Sequence, residues 1–220
     1  MNRKALFISG LAIIILAFVF AAVLYQKQEL SLLGESTYKN RQALERDGAP
    51  VKGPQDAKVT IVEFFDPACE TCADFYPLVK KLVDQYPGKV RVMMRYAPLH
   101  AGSDQVVKLL EAAHLQGKYW ETLELMFKTQ HIWASHHNYQ PERLWEVLPR
   151  AGLDIERIKK DMHSPAIAKI IEQDMADVKT LNVQKTPGYF VNGKPLQQFG
   201  YKQLAQLIQS ELDAQYPTKR

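Results

Sequence analysis

The chain has 220 residues, 46% hydrophobic and 24% charged, a balance that is typical of a globular protein and excludes a disordered or fibrous one. Its net charge is +4, and Arg3 and Lys4 supply half of that excess. The remainder of the chain is too nearly neutral for a nucleic-acid-binding protein held by phosphate contacts. Two cysteines are too few for a disulfide-rich scaffold or a four-cysteine zinc site.

Residues 5–25 form an apolar run that directly follows Arg3 and Lys4. At about 1.5 Å per residue, roughly 20 helical residues cross a ~30 Å hydrocarbon core. A cleavable signal peptide has a shorter apolar region, of about 7–15 residues. We therefore predict that residues 1–25 are an uncleaved anchor that leaves the rest of the chain on the far side of the membrane. Cleavage after Val19-Phe20-Ala21 would make the segment a signal peptide, and that alternative stays open.

The segments that follow predict a linker and then a strand–helix–strand unit. Residues 26–54 are polar and end in a break rich in proline and glycine, which indicates a stalk before a domain over residues 55–215. Val59–Phe65 is rich in β-branched and aromatic residues and predicts a strand buried on both faces. A helix over about 69–86 and a strand over 89–96 follow. Such a unit requires parallel strands joined by a right-handed crossover.

The pattern is helical from about residue 100 to 181, which predicts an inserted helical subdomain. Helix starts are indicated at Pro141, Asp154 and Ser164. Asn192-Gly193 suits a type I′ turn, so residues 189–196 predict a hairpin. An amphipathic helix over residues 201–212 follows, and the expected fold class is α/β.

Both cysteines lie in one motif, Cys69-Glu70-Thr71-Cys72, where the predicted strand ends and the predicted helix begins. At a helix N-terminus, unpaired N–H groups and the macrodipole stabilise an anion, so we expect a lowered pKa for the Cys69 thiol. The spacing places Cys72 one turn further on the same helix face, within reach of a disulfide. A sulfur of low pKa backed by a second sulfur is typical of thiol–disulfide exchange.

The cysteine pair has two alternative interpretations. Half of a zinc site would need about two further ligands, and His131 and His136 lie much further from Cys72 than in a zinc finger. An inert buried pair is the second alternative. Exchange chemistry is favoured over both, and no metal site is predicted.

Glu63 is an unexpected residue on the predicted strand, because its neighbours on the same face, Val59, Ile61 and Phe65, are all apolar. A buried carboxylate is costly unless it is paired, and it tends to bind a proton. We therefore expect Glu63 to lie beneath the cysteine motif and to handle the proton of Cys72. The alternative is that Glu63 is solvated near a strand end.

Thr186-Pro187 and His100 are two further positions of interest. Thr186-Pro187 opens the predicted hairpin, where a proline owes no ladder hydrogen bond and can adopt a cis bond. Turn formation alone would also explain it. His100 follows the second strand, and we interpret it as an ordinary loop histidine rather than a site residue.

Residues 62–72, Val-Glu-Phe-Phe-Asp-Pro-Ala-Cys-Glu-Thr-Cys, resemble the active-site segment of the DsbA family of thioredoxin-fold thiol–disulfide oxidoreductases. Residues 186–193, Thr-Pro-Gly-Tyr-Phe-Val-Asn-Gly, are similar to that family's cis-proline strand and hairpin, and the helical insertion matches its architecture. The resemblance implies that Cys69 is the nucleophile, Cys72 the resolving thiol and Glu63 the buried acid. It also implies that Thr186 and Pro187 form a cis-proline loop that pairs with the substrate chain.

The resemblance further implies a thiol–disulfide oxidoreductase without an organic cofactor, because the electrons travel through the cysteines. Its expected partners are exported cysteine-containing proteins and a membrane redox protein that recharges the pair; no nucleic acid is expected. With an anchor over residues 5–25, the expected location is the bacterial inner membrane with the catalytic domain on the periplasmic side, or the periplasm after signal cleavage. A reductase or isomerase, and a non-catalytic holdase, are the alternatives. Glu70 and Thr71 stand where the family's best-known strong oxidant has Pro-His, so we expect them to modulate the potential.

Overall fold

The computed structural model describes residues 40–135 and 138–217, and before them only Phe20 and Leu24. The predicted anchor over residues 1–25 and most of the predicted stalk therefore lie outside the described residues. Within the described part of the chain, no helix is both long enough and apolar enough to cross a membrane.

The chain divides into two units, residues 1–42 and residues 43–220. In the first, Phe20 and Leu24 are exposed, and residues 40–42 are helical and exposed. The second unit begins before residue 55, where the sequence indicated the start of the domain. Ala43 and Leu44 are already buried, and Val51–Lys52 forms a strand. The end of the expected linker over residues 26–54 is thus part of the folded unit.

In chain order the elements are β1 (Val51–Lys52), β2 (Val59–Phe65), α1 (Glu70–Gln85), β3 (Val90–Tyr96), α2 (Ser103–His114), α3 (Tyr119–Lys128), α4 (Gln130–Trp133), β4 (Ala134–Ser135), β5 (Asn138–Tyr139), α5 (Leu144–Val147), α6 (Ile155–Asp161), α7 (Pro165–Thr180), β6 (Gly188–Val191), β7 (Lys194–Pro195) and α8 (Tyr201–Gln215). Short 3-10 segments, Pro141–Arg143 and Leu148–Ala151, flank α5.

The main sheet has the strand order β1-β3-β2-β6-β7. β2 and β3 are parallel, with Val59 opposite Val90 and Phe65 opposite Tyr96, as the predicted strand–helix–strand unit requires. The other neighbouring pairs are antiparallel. This is a thioredoxin-like α/β fold with a helical insertion between β3 and β6, as the sequence predicted.

β2 is buried along its whole length, and its two faces pack into different clusters. Ile61 and Phe65 join the larger cluster with residues of α1 and α8. Val62 and Phe64 join a smaller cluster with Val178 of α7. Because side chains alternate along a strand, Glu63 shares the face of Ile61 and Phe65 and lies in the larger core. The fold therefore places this carboxyl beneath α1.

The insertion is mostly helical, as predicted. Asp154 and Ser164 are the N-caps of α6 and α7, and each accepts a hydrogen bond from the backbone amide three residues on. Pro141 begins a 3-10 segment instead of an α-helix. The antiparallel pair β4–β5 was not predicted, because strands of two residues carry no readable periodicity.

The predicted C-terminal hairpin is confirmed. Asn192 and Gly193, between β6 and β7, have φ values of 48° and 85°. A type I′ turn requires positive φ at both of its central positions. The hairpin holds β6 against β2 and thereby sets the position of Thr186-Pro187, which precedes β6.

Candidate active site

Cys69 is the N-cap residue of α1 and lies in the short connection after β2. Its backbone is extended, and its side chain makes no capping hydrogen bond to the helix. The Cys69 amide donates to the Asp66 carbonyl at 3.0 Å, and its own carbonyl accepts from the Ala73 amide at 3.2 Å. The sulfur therefore lies at the positive end of the helix, where a thiolate is stabilised.

The thiol of Cys69 is more acidic than an ordinary cysteine. A hydrogen bond from the Cys72 thiol makes the largest contribution to lowering the pKa of Cys69 to about 6, and burial opposes it. The Thr186 side chain, the Cys72 amide and the charge of His100 lower the pKa further. At neutral pH Cys69 is therefore mainly a thiolate, the nucleophilic form of cysteine.

Cys72 lies one turn deeper and is fully buried. Burial raises the pKa of the Cys72 thiol, and its hydrogen bond to Cys69 and the nearby charge of Glu63 raise it further. Both cysteines are free thiols in this structure. Cys72 thus holds its proton and donates it in a hydrogen bond, while Cys69 loses its own.

Glu63 forms the floor of the site and is 1% exposed, so the alternative of a solvated strand end is wrong. It is paired in register with Tyr189 on β6, and Tyr76 and Val79 of α1 line the same small cleft. Glu63 Oε2 and the Tyr189 hydroxyl have no hydrogen-bond partner among the described groups. Burial is the main cause that raises the pKa of Glu63 to about 8, and interaction with Tyr189 lowers it. Glu63 is therefore mainly protonated at neutral pH.

The loop before β6 forms one wall of the site. The Thr186–Pro187 peptide bond is cis, as the family resemblance implies. The Cys69 sulfur lies 3.4 Å from the carbonyl oxygen of Thr186. This contact brings the loop and the cysteine motif together, although they are more than 100 residues apart in the sequence.

Glu70 and Thr71, the residues between the cysteines, have exposed side chains in the first turn of α1. Glu70 is the acidic residue of that first turn. The dipeptide therefore contributes a negative charge and a hydroxyl group, and no positive charge, to the edge of the site.

Asp66 was not identified from the sequence, yet it organises the connection between β2 and α1. It is fully buried, and Oδ1 accepts from the Ala68 amide at 2.8 Å. Oδ2 accepts from the amides of Leu99 and His100 at 2.7 and 2.9 Å and from the Ser103 hydroxyl at 3.1 Å. A carboxylate in an otherwise apolar stretch, three residues before Cys69, is the signal that could have found it.

His100 lies in the connection between β3 and α2, and its side chain contacts the same carboxylate that organises the cysteine loop. Its Nδ1 lies 2.8 Å from Asp66 Oδ2, and its side chain is 27% exposed. Its ring packs against Tyr139 with a centroid separation of 5.3 Å.

The helical insertion also reaches the cysteine motif. Gln130 of α4 is buried, and its side-chain amide donates to the carbonyls of Pro67 and Cys69 at 2.9 and 3.1 Å. No periodicity in the sequence marks this contact. Within residues 40–135 and 138–217, no group of three or more histidine, cysteine or acidic side chains is arranged to hold a metal.

Comparison with known proteins adds a family to this geometry. Residues 45–210 match the model of a family described as thioredoxin. A thioredoxin-like oxidoreductase from Silicibacter pomeroyi DSS-3 is 30% identical, covers 81% of this chain and 99% of its own, and has a TM-score of 0.68. BdbD from Bacillus subtilis, in its oxidised form, is 26% identical, covers 76% and 94% of the two chains, and has a TM-score of 0.65.

A curated relative, the Na(+)/H(+) antiporter NhaA of Herminiimonas arsenicoxydans, is 32% identical over 146 residues, which are 66% of this chain and 22% of that protein. The chain thus spans about a fifth of the length of the curated relatives it matches. The family model, by contrast, covers most of this chain, and the solved structures are matched over nearly their whole length. The chain therefore belongs to the thioredoxin family, and its fold is that of the DsbA-like thiol–disulfide oxidoreductases.

Proposed function

We propose that this protein exchanges disulfides with cysteines of exported proteins through the Cys69–Cys72 pair. The observation that carries the proposal is the opposite acidity of the two thiols. The pKa of Cys69 is lowered to about 6, and that of Cys72 is raised by burial. The Cys69 sulfur is therefore both a good nucleophile and a good leaving group, and the Cys72 sulfur beside it stays protonated until it resolves the mixed disulfide.

In the oxidising direction, the Cys69–Cys72 disulfide accepts two electrons from two substrate thiols. A substrate thiolate attacks the sulfur of Cys69, which forms a mixed disulfide, breaks the Cys69–Cys72 bond and releases Cys72 as a thiolate. A second substrate thiolate then attacks the substrate sulfur of the mixed disulfide. Cys69 leaves as a stabilised thiolate, and the substrate keeps the new disulfide.

Glu63 supplies the proton that Cys72 needs when it is released. The pKa of Glu63, raised by burial to about 8, keeps the carboxyl protonated at pH 7. In the reverse direction, an ionised Glu63 accepts the proton of Cys72, whose thiolate then attacks Cys69 and releases the partner. General acid–base assistance of this kind is typically worth ~10²–10⁴-fold.

Substrate chains bind beside the cysteines in this proposal. The Thr186-Pro187 loop is the surface that pairs with the substrate backbone in the family, and the Thr186 carbonyl lies 3.4 Å from Cys69. Phe199 is 49% exposed and lies 4.4 Å from Phe75 of α1, between ring centroids. The exposed Phe199 ring, packed on the half-buried Phe75 of the motif-bearing helix, suits contact with the apolar side chains of an incompletely folded protein.

The proposal places the domain outside the cytoplasm, held by residues 5–25 and recharged by a membrane redox partner. A reporter fused after Arg220 that works only outside the cytoplasm is expected to be active, and carbonate washing is expected to leave the chain in the membrane. An inactive reporter would contradict the location. Release of a shortened protein that starts near residue 22 would show that the segment is a cleaved signal.

Insulin reduction and oxidative refolding assays on the full chain separate catalysis from simple binding of unfolded chains. We expect activity in both assays, and loss of both when Cys69 and Cys72 are replaced together by serine. A holdase would suppress aggregation equally well with or without the cysteines. A reductase or isomerase would favour the insulin assay, and the negative charge of Glu70 is the feature that supports this second candidate.

A further inference from the structure

The motif itself provides no positive side chain for the Cys69 thiolate. Glu70 carries a negative charge, Thr71 is neutral, and both are exposed at the start of α1. Stabilisation must therefore come from the helix N-terminus, from neighbouring hydrogen bonds or from a charge on another element. The connection between β3 and α2 supplies such a group in His100.

Four contacts on one carboxylate fix the position of His100. Asp66 Oδ2 accepts the backbone amides of Leu99 and His100 and the Ser103 hydroxyl, and it lies 2.8 Å from His100 Nδ1. Ser103 also donates to the His100 carbonyl at 3.0 Å. The imidazole is thus held from its backbone and from one ring nitrogen, and Nε2 is left as the nitrogen that points away from Asp66.

The same carboxylate ties the histidine to the cysteine loop. Oδ1 of Asp66 accepts the Ala68 amide at 2.8 Å, one residue before Cys69, while Oδ2 serves the His100 segment. Tyr139 closes the other side of the imidazole at a centroid separation of 5.3 Å. The titratable groups that interact with the imidazole are Asp66, in direct contact with Nδ1, Tyr139, whose ring packs against it, and Cys69, whose thiolate its charge favours.

We propose that His100, oriented by Asp66, is the positioning residue that adds positive charge beside the Cys69 thiolate and thereby shifts its redox potential, a role that no residue between the cysteines fills. This inference rests on the proposed function, because it assigns the source of the acidity that disulfide exchange uses. The imidazole carries its charge when Nε2 binds a proton, and that charge favours the Cys69 thiolate. A stabilised thiolate stabilises the reduced pair and makes the protein a stronger oxidant.

The charge of His100 agrees with this geometry, because it lowers the pKa of the Cys69 thiol in addition to the larger effects of the Cys72 and Thr186 hydrogen bonds. The separation of the two residues in sequence explains why the motif alone does not reveal it. A motif with Glu70-Thr71 between its cysteines can thereby still have a first cysteine of low pKa.

The test is a pH titration of thiolate ultraviolet absorbance on the reduced full chain, with the Cys69→Ser variant as the blank. His100→Gln keeps a polar side chain but removes the charge. We expect it to raise the pKa of Cys69 by about one unit, which corresponds to a potential more reducing by ~30 mV against glutathione. His100→Lys restores a charge without the ring, and we expect a pKa at or below the wild-type value. His163→Gln, at an exposed histidine on the helical insertion, is the matched control and should change neither quantity.

A shift below about 0.3 unit in His100→Gln would overturn the inference, since a charge difference of this kind shifts a pKa by more. An equal rise in His100→Gln and His100→Lys would also overturn it, because the ring's shape and not its charge would then matter. If His100→Gln does not fold, His100→Lys decides alone, and a raised pKa there contradicts the inference. The titration needs no substrate, so absence of insulin reduction and refolding activity would defeat the proposed function and leave this result standing.

Discussion

The outer and inner halves of the site have opposite effects on the acidity of a cysteine thiol. In the outer half, formed by Cys69, Thr186 and His100, the helix N-terminus, hydrogen bonds from Cys72 and Thr186 and the charge of His100 lower the pKa of Cys69 to about 6. The inner half, formed by Cys72 and Glu63, is buried, and burial raises both pKa values.

The difference shows that one helical turn is enough to separate two roles. Cys69 as N-cap lies where backbone N–H groups are unpaired, whereas Cys72 lies inside the first turn and above a carboxyl on an apolar strand face. One motif can then contain a nucleophilic thiolate, Cys69, and a protonated resolving thiol, Cys72.

The largest effect is expected from removing either sulfur. Cys69→Ser should abolish exchange, because the attacked and attacking atom is gone. Cys72→Ser should leave Cys69 able to attack but unable to release its partner, so mixed disulfides with client proteins should accumulate on non-reducing gels. If the Cys69 variant traps clients and the Cys72 variant does not, the two roles are reversed.

Removing the titratable carboxyl group of the inner half is expected to slow resolution of mixed disulfides. Glu63→Gln should reduce the rate at which Cys72 resolves a mixed disulfide by ~10²–10⁴-fold, while the pKa of Cys69 changes little. In the wild type this rate should rise as pH increases through about 8, where Glu63 ionises and becomes a base. Stopped-flow measurement with a preformed mixed disulfide gives the rate. Glu146→Gln, at an exposed position, is the control. If Glu63→Gln resolves mixed disulfides at the wild-type rate between pH 6 and 8, Glu63 takes no part in the proton transfer.

The same variant should change how stability depends on pH. Glu63 titrates near 4.5 when unfolded and at about 8 when folded, so between these values the folded state holds a proton that the unfolded state has lost. The contribution of Glu63 to the free energy of unfolding is therefore fully present below pH 4.5. It is lost as pH rises to 8, by on the order of 3–5 kcal/mol.

Urea unfolding of the reduced protein at pH 5 and pH 8 measures this effect. The lowered pKa of Cys69 acts in the opposite direction, so the difference between Glu63→Gln and the wild type isolates the contribution of Glu63. We expect Glu63→Gln to gain stability relative to the wild type on going to pH 8. An equal change in both proteins would mean that Glu63 is not buried in solution.

The smallest effect is expected at the edge of the outer half. Glu70 places a negative side chain beside the Cys69 thiolate, and like charge disfavours ionisation. Glu70→His should lower the pKa of Cys69 and make the protein a stronger oxidant, by ~30 mV for each tenfold gain in thiolate stability. Thiolate absorbance and equilibration with glutathione measure the two quantities. If both stay unchanged, the dipeptide does not set the potential.

Much of the fold could be predicted from the sequence, because the patterns that indicate its strands, helix starts and turns are local. The apolar strand Val59–Phe65, the caps at Asp154 and Ser164 and the Asn192-Gly193 turn are each decided by a few adjacent residues. The position of Cys69 at a helix start and the burial of Glu63 follow from the same local patterns.

The remaining features depend on contacts between distant parts of the chain. Asp66 and His100 meet across 34 residues, and Gln130 reaches Cys69 across 61. A lone buried acid, a loop histidine and a glutamine on a short helix have no spacing that identifies them. Strand β1 was not predicted for a related reason. A strand of two residues has no sequence pattern of its own and forms only because it pairs with β3.

The most direct test of the division between the two halves is residue-resolved alkylation of the reduced full chain as a function of pH. Mass spectrometry of peptides after brief treatment with iodoacetamide reports each cysteine separately. We predict that Cys69 reacts with a midpoint near pH 6, in line with its lowered pKa of about 6, and that Cys72 stays unmodified throughout the neutral range. Reaction of Cys72 before Cys69, or of both together near the pKa of an ordinary thiol, would contradict the account.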